Sequence, residues 1–251
     1  MSKRANTKQS NRKRRRMARS FGTAEIIDFQ SPLHEPERQR EPPPLRALND
    51  AQAEYIEALR TSPQVIVLGP AGTGKTWVAA TYAADLYRRG AVEKIILTRP
   101  NVPVGRSLGF FPGSLEDKFA PWAVPVTDAI RDRLGGGAYK IAVKRGDIEL
   151  VPFEVMRGRS WNNAFVLLDE AQNATPAEIK TFLTRIGEDC TVVVNGDVSQ
   201  CDLHETSGLA TVISLVRSRG LPVPVIEFGL DDIVRSGVCA MWVRAFAEAG
   251  A

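Results

Sequence analysis

The sequence is poor in metal-binding and cross-linking residues. Its 251 residues include three cysteines and two histidines. Cys190, Cys201 and Cys239 lie far apart and form no CxxC pair. With only His34 and His204 beside them, the composition argues against a Cys/His zinc centre. It also offers no disulfide framework, so a reduced, cytoplasmic setting is expected. Long hydrophobic runs are missing too. The longest, Val65–Leu68 and Ala164–Leu168, are far too short to cross a bilayer, and no membrane partner is expected. No apolar stretch follows the basic N-terminus within the first thirty residues, so a secretory signal is not expected. What remains is an ordinary globular balance, 43% hydrophobic and 25% charged. The length suits one domain or at most two, with enough chain to bury a core unaided.

Charge is unevenly spread. Residues 1–44 carry eleven Lys/Arg against five Asp/Glu, a net +6, whereas the whole chain is +4. The rest is therefore slightly acidic. The excess centres on Arg12-Lys13-Arg14-Arg15-Arg16, followed by Pro36 and Pro42-Pro43-Pro44. Few large apolar residues and no sustained periodicity make residues 1–45 a disordered arm by expectation. Such a block either binds phosphate backbones or merely solvates the chain. Cations alone position on phosphates and read no bases.

Beyond the arm, apolar strands alternate with helical stretches. Asn49 or Asp50 caps a helix to about Leu59, and Val65–Leu68 is a strand ended by Gly69. Further strands are expected at Lys94–Thr98, Phe165–Leu168, Thr191–Val194 and Val225–Phe228. Helices are expected at Thr76–Arg89, in part of Leu115–Leu134 despite Pro121 and Pro125, from Pro176 to Ile186, and at Thr206–Arg219 and Val238–Ala249. This alternation predicts an α/β fold, a parallel sheet covered by helices on both faces. Ala138–Arg159 is ambiguous and reads as a small β insertion.

Three motifs sit at the ends of these strands. Gly69-Pro70-Ala71-Gly72-Thr73-Gly74-Lys75-Thr76 fits GxxxxGK[ST] between a strand and a helix, the context its mechanism requires. The glycines let successive N–H groups point at phosphate oxygens, and the helix start favours anions. Lys75 is expected to reach the β- and γ-phosphates, and Thr76 to ligate Mg²⁺. The second motif is Ala164-Phe-Val-Leu-Leu-Asp169-Glu170, a strand ending in two acids. Asp169 is expected to hold Mg²⁺, and Glu170 to orient and deprotonate an attacking water. The third, Asn195-Gly196-Asp197-Val198-Ser199-Gln200, offers the Gln200 amide to the γ-phosphate. Read alone, it is also an ordinary strand-to-turn signal.

A P-loop, a DEAQ run and GDxxQ in this order resemble superfamily 1 helicases. The likeness tightens on Ile95-Ile-Leu-Thr-Arg-Pro100, Leu108-Gly-Phe-Phe-Pro-Gly113, Met156-Arg-Gly-Arg159, Leu168-Asp-Glu-Ala-Gln-Asn173, Phe182-Leu-Thr-Arg-Ile-Gly187 and Asp232-Ile-Val-Arg235. Together these resemble the PhoH family of phosphate-starvation-type P-loop ATPases, its phage-borne members included. Arg106, Val198 and Ser236 depart from the family pattern, and none of them touches the P-loop or DEAQ. The resemblance implies that Gln52, on the helix before the P-loop, reads adenine and favours ATP. It implies that Arg235 contacts the γ-phosphate, with Arg157, Arg159 and Arg185 as further candidates. It also implies that the loop Arg99–Gly113 contacts nucleic acid.

The roughly 200 residues from Arg46 onward hold one RecA-like lobe at ~100–200 residues per domain. A lone lobe leaves the γ-phosphate open on one side. The resemblance implies a homo-oligomeric ring, a hexamer, with Arg235 or another arginine acting in trans. Three functions fit. The first is an ATP- and Mg²⁺-dependent ATPase that binds or remodels nucleic acid, single-stranded RNA by preference. The second is an ATP-gated oligomerising module whose turnover is incidental. The third, a small-molecule phosphotransferase, suits Glu170 and Gln200 least. Removing residues 1–44 is expected to flatten the log–log salt dependence of single-strand binding by about 4, the share of about six neutralised phosphates. An unchanged affinity and slope leaves the arm a solubility role alone.

Overall fold

A computed structural model of the chain describes residues 42–100, 115–201, 203 and 206–249. Residues 1–41 of the expected arm, residues 101–114 of the long loop, and His204 lie outside the described residues. Helix α1 (Asp50–Thr61) begins where the Asn49 side chain accepts the Gln52 N–H, a standard N-cap. Strand β1 (Gln64–Leu68) runs into the glycine-rich turn and helix α2 (Lys75–Arg88). Strand β2 (Lys94–Thr98) precedes helices α3 (Leu115–Leu134) and α4 (Gly136–Arg145) and the short strand β3 (Ile148–Leu150). Strand β4 (Ala164–Leu168) leads through a 3₁₀ turn, Ala171–Asn173, to helix α5 (Pro176–Leu183). Thr175 and Glu178 form a capping box there, with Pro176 in the first turn. Strand β5 (Thr191–Gly196), helix α6 (Gly208–Arg219), strand β6 (Val225–Glu227) and helix α7 (Gly237–Ala249) complete the order.

The six strands form one sheet in the order β3-β2-β4-β5-β1-β6, and every pairing is parallel. This is the expected α/β P-loop architecture. All carboxyl ends share one edge, where ligands of open α/β sheets collect. β5 separates β1 from β4, with Leu68 opposite Gly196 and Leu168 opposite Val194. The turn after β1 and the acids after β4 therefore flank the tip of β5.

Strand side chains alternate between two cores, as the period of two requires. Val65, Val67, Phe165, Leu167 and Val193 pack under α1, α2, α3 and α4. Ile66, Leu68, Val166, Leu168, Val192 and Val194 pack against α5 and α6. Helix α3 is fixed to α2 by a two-pronged ion pair, Arg133 Nε to Asp85 Oδ1 at 2.8 Å and Nη2 to Oδ2 at 2.6 Å. No helix among the described residues is long and apolar enough to cross a membrane.

Two expectations change. α3 is one continuous element through Pro121 and Pro125. Both prolines face solvent while Ala123, Val126 and Ile130 are buried. The buried stripe, not local propensity, keeps this helix together. The stretch read as a β insertion is helix α4 plus one short strand that joins the main sheet beside β2. Ala138, Lys140, Ala142, Lys144 and Arg145 are good helix formers that carry the aromatic and β-branched residues between them, and Gly146 at φ 73° ends the helix as a left-handed cap.

Close packing ties α6 to the turn after β4. A Cβ on Gly208 would lie 2.6 Å from the Thr175 carbonyl oxygen and 2.8 Å from that of Ala174. Gly208→Ala is expected to destabilise by about 1–3 kcal/mol, the cost of forcing atoms into a packed site. Gly137→Ala, where a Cβ meets nothing within 4 Å, is expected to be neutral or slightly stabilising. Thermal melts of the two variants side by side check both outcomes.

Candidate functional site

The turn after β1 has almost no side chains with which to shape itself. Gly69, Gly72 and Gly74 take φ of 136°, 89° and 89°, which L-residues rarely adopt. Thr73 Oγ1 donates back to the Pro70 carbonyl at 3.1 Å, and neighbouring elements supply the other braces. Gln52, 1% exposed, donates from Nε2 to the Thr73 carbonyl at 3.0 Å and accepts the Leu48 N–H at 3.0 Å. A Cβ on Gly74 would come within 2.8 Å of that amide. From the other side, the Val234 N–H donates to the Gly72 carbonyl at 3.0 Å. Arg235 then lies so near that a Cβ on Gly72 would touch its Cγ and Cδ at 3.0 Å. Asn49 joins the two braces, donating from Nδ2 to the Asp232 carbonyl at 3.2 Å while capping α1.

One cavity of about 390 Å³ opens over this turn. Such a volume suits a small-molecule ligand, at about 300–1,000 Å³. It is lined by Ala71, Gly72, Gly74, Lys75 and Thr76 of the turn, by Asp169, Glu170, Asp197 and Gln200, and by Arg235. The expected phosphate-binding and acidic residues thus converge. Arg235 reaches the cavity of its own chain. Arg157, Arg159 and Arg185 do not line it. Arg159 pairs instead with Glu149 at 2.9 Å.

Charges inside the cavity are crowded. Lys75 Nζ donates to the Gly69 and Pro70 carbonyls at 2.5 and 2.8 Å. Burial lowers its pKa, and Asp197, Asp169 and Glu170 oppose that shift. Thr76 Oγ1 donates to Asp169 Oδ1 at 3.0 Å, linking α2 to the end of β4. Burial, with Glu170 beside it, raises the Asp169 pKa above the ordinary carboxylate value. The Thr76 hydrogen bond and the charges of Arg99 and Lys75 act the other way. Asp197 Oδ2 is buried with no partner among the described residues. Its Oδ1 accepts the Ser199 N–H and hydroxyl and so shapes the turn that carries Gln200.

Three residues were not assigned to the site from sequence, although Gln172 stands in the DEAQ run and Arg99 in Ile95–Pro100. Gln172, buried, donates from Nε2 to Glu170 Oε2 at 2.6 Å and accepts the Asp197 N–H at 3.0 Å. It couples the second motif to the third. Its signal was present as the Q of DEAQ, but a spacing of two residues does not reveal a bridge to Asp197. Arg99 lines the cavity from the end of β2, and Trp122 lines it from α3. Their approach depends on the order of strands and has no local signature. Glu170 itself sits at φ 53°, a left-handed conformation uncommon for a residue with a side chain.

A raised folded-state pKa gives stability below the ordinary value of the group and loses it as pH climbs through the raised one. The Asp169 charge therefore weakens the fold at neutral pH. Asp169→Asn keeps an acceptor for Thr76 and removes that charge. The melting temperature at neutral pH is expected to rise by about 2–4 °C, the effect of ~1 kcal/mol in a domain of this size. The gain should shrink as pH falls toward the ordinary carboxylate range, and melts across pH check this.

Comparison with known proteins places this geometry. Residues 44–247 match the family model described as PhoH-like protein. Protein PhoH of Escherichia coli (strain K12) is 42% identical over 212 residues, covering 83% of this chain and 60% of that protein. The PhoH-like protein of Bacillus subtilis (strain 168) is 42% identical over 205 residues, covering 80% and 64%. The chain spans less than two thirds of the length of these curated relatives. Among solved structures, the large terminase from a thermophilic bacteriophage aligns at TM-score 0.46 and 10% identity, covering 80% of this chain and 50% of that one. The family match spans α1 to α7, the whole of the frame that builds the cavity, and the chain belongs to the PhoH family.

Proposed function

We propose that this chain binds ATP with Mg²⁺ in the cavity over the β1–α2 turn, hydrolyses it, and couples turnover to single-stranded nucleic acid, RNA by preference. One observation carries the reading. A phosphate-binding turn, a hydroxyl–carboxylate pair and a second carboxylate line the same cavity.

The donor set fits Mg²⁺. Thr76 Oγ1 and Asp169 Oδ1 are hard oxygen ligands already 3.0 Å apart. Mg²⁺ is commonly held by one or two protein oxygens, with phosphate and water completing its shell. When bound, Mg²⁺ neutralises charge on the β- and γ-phosphates. The N–H groups of the turn cradle the phosphates, and Lys75 exchanges the Gly69 and Pro70 carbonyls for phosphate oxygens. Glu170 takes a proton from water as the water oxygen bonds to the γ-phosphorus and the bond to the β–γ bridging oxygen breaks. Gln200 places its amide beside the γ-phosphate, and Arg235 balances charge there. Gln52, expected to read adenine, has both ends of its amide engaged within the chain, at the Thr73 carbonyl and the Leu48 N–H, and supports binding through the shape of the turn. The basic block at Arg12–Arg16 and the helicase-like order of motifs support a nucleic-acid partner.

A second reading, assembly gated by ATP, draws on α7. Val238, Met241, Trp242 and Phe246 recur at helical spacing and stay 55–68% exposed. This stripe starts one turn after Arg235. An exposed apolar stripe of this kind marks an interaction surface.

ATP hydrolysis by the purified chain, with and without single-stranded RNA or DNA, separates the two. Glu170→Gln is expected to keep ATP binding and lose about 10²–10⁴-fold in kcat, the usual worth of a general base. Lys75→Ala is expected to lose binding as well. A severalfold rise with RNA supports the coupled ATPase. A flat rate with ATP-dependent growth in mass supports assembly.

A further inference from the structure

Glu170 opens onto the cavity with its side chain 38% exposed, but both carboxylate oxygens have a neighbour. Gln172 Nε2 donates to its Oε2 at 2.6 Å, and Arg99 Nη2 stands 3.9 Å from its Oε1, an ion-pair distance beyond hydrogen-bond range. Arg99 has a second anchor, because its guanidinium carbon lies 5.3 Å from the ring centroid of Trp122. A planar cation over an indole face is a favourable arrangement, worth more as water is excluded. Arg99 is three-quarters shielded from solvent, so its pairing with Glu170 is screened less than a surface ion pair.

Both anchors are fixed by the fold. Arg99 follows the last residue of β2. The Asp169 N–H donates to the Thr98 carbonyl at 2.9 Å, which locks the tips of β2 and β4 together. Trp122 rides on α3, which the Arg133–Asp85 pair fastens to α2. Helix α2 also carries Lys75 and Thr76. The position of Arg99 is therefore set by the same helix that holds the phosphate-binding residues.

We propose that Arg99, clamped on Trp122, is a positioning residue that restrains Glu170. It draws the carboxylate toward β2 and α3 and away from the water it must deprotonate. This rests on the reading of Glu170 as the base in ATP hydrolysis. The restraint is electrostatic and stacking in origin. Lys at position 99 keeps the charge but loses the planar face, and Phe at position 122 keeps a weaker face.

Steady-state kinetics of the full chain test this, with Glu170→Gln as the reference for the base. Arg99→Ala is expected to raise basal kcat about three- to tenfold, within the range a better-placed general base supplies, with KM for ATP unchanged. Trp122→Ala should move kcat the same way, and Trp122→Phe by less. In the Glu170→Gln background, Arg99→Ala should change nothing, because its effect passes through Glu170. A fall in kcat, a raised KM, or the same gain without Glu170 overturns the proposal. A wild-type chain with no ATPase activity above Glu170→Gln overturns the underlying reading instead. Equal melting temperatures for the wild type and Arg99→Ala separate the restraint from a folding defect.

Discussion

The glycine-rich turn after β1 holds its shape through a handful of hydrogen bonds. Gly72 and Gly74 take positive φ that residues with side chains rarely adopt, and Arg235 and Gln52 occupy the space a Cβ there would need. Thr73 and Lys75 bond back to the Pro70 and Gly69 carbonyls, and the other braces come from outside the turn. α1 supplies Gln52, the segment after β6 supplies Val234, and β4 supplies Asp169 through Thr76. These elements are far apart in the chain, and the parallel sheet brings their ends to one edge. The folding of the domain and the shaping of the site are the same event.

The same geometry concentrates cost. Asp169, Glu170 and Asp197 crowd around Lys75, and burial works against the charges of Lys75 and Asp169. Glu170 adds a left-handed backbone, which costs of order 1–3 kcal/mol in a residue with a side chain. The two cores on either face of the sheet offset this. Nearly every side chain of β1, β4 and β5 is buried there, at about 1.5–3 kcal/mol per large apolar residue. A site this unfavourable survives because the frame around it is not.

Much of this was legible in sequence. Short apolar runs ended by Gly69, Asp169 and Gly196 marked the strands, and the motifs at their ends marked the cavity. Lys94–Thr98 was read to the residue because β2 is apolar between polar flanks. Prolines misled at α3, where burial of Ala123, Val126 and Ile130 outweighs local propensity. The stretch from Ala138 was misread as β, where helix α4 and the short β3 stand. The site residues that escaped share one property. Arg99, Trp122 and the Gln172–Asp197 link are contacts between segments that no periodicity connects. Arg235 was legible as a residue, but its place in the cavity of its own chain depends on the path from β6 back across Gly72.

That path gives the segment after β6 two tasks. Residues 229–236 hold the phosphate-binding turn through Val234 and supply Arg235, and the chain then continues directly into α7. α7 carries the apolar stripe of Val238, Met241, Trp242 and Phe246, with Trp242 and Phe246 stacked at 5.8 Å. Its ties back to this segment are exposed ones, Arg244 to Asp231 and Arg235 to Cys239. Whatever covers the stripe must act on a helix joined by one turn to Arg235. The Arg235 side chain lies close against the turn, with Cγ and Cδ 3.0 Å and Nε 3.2 Å from where a Cβ on Gly72 would stand. The Gly229 N–H to Asp232 and Asn49 to Asp232 hydrogen bonds hold the start of the segment, so that it reaches Gly72 from a fixed origin beside α1.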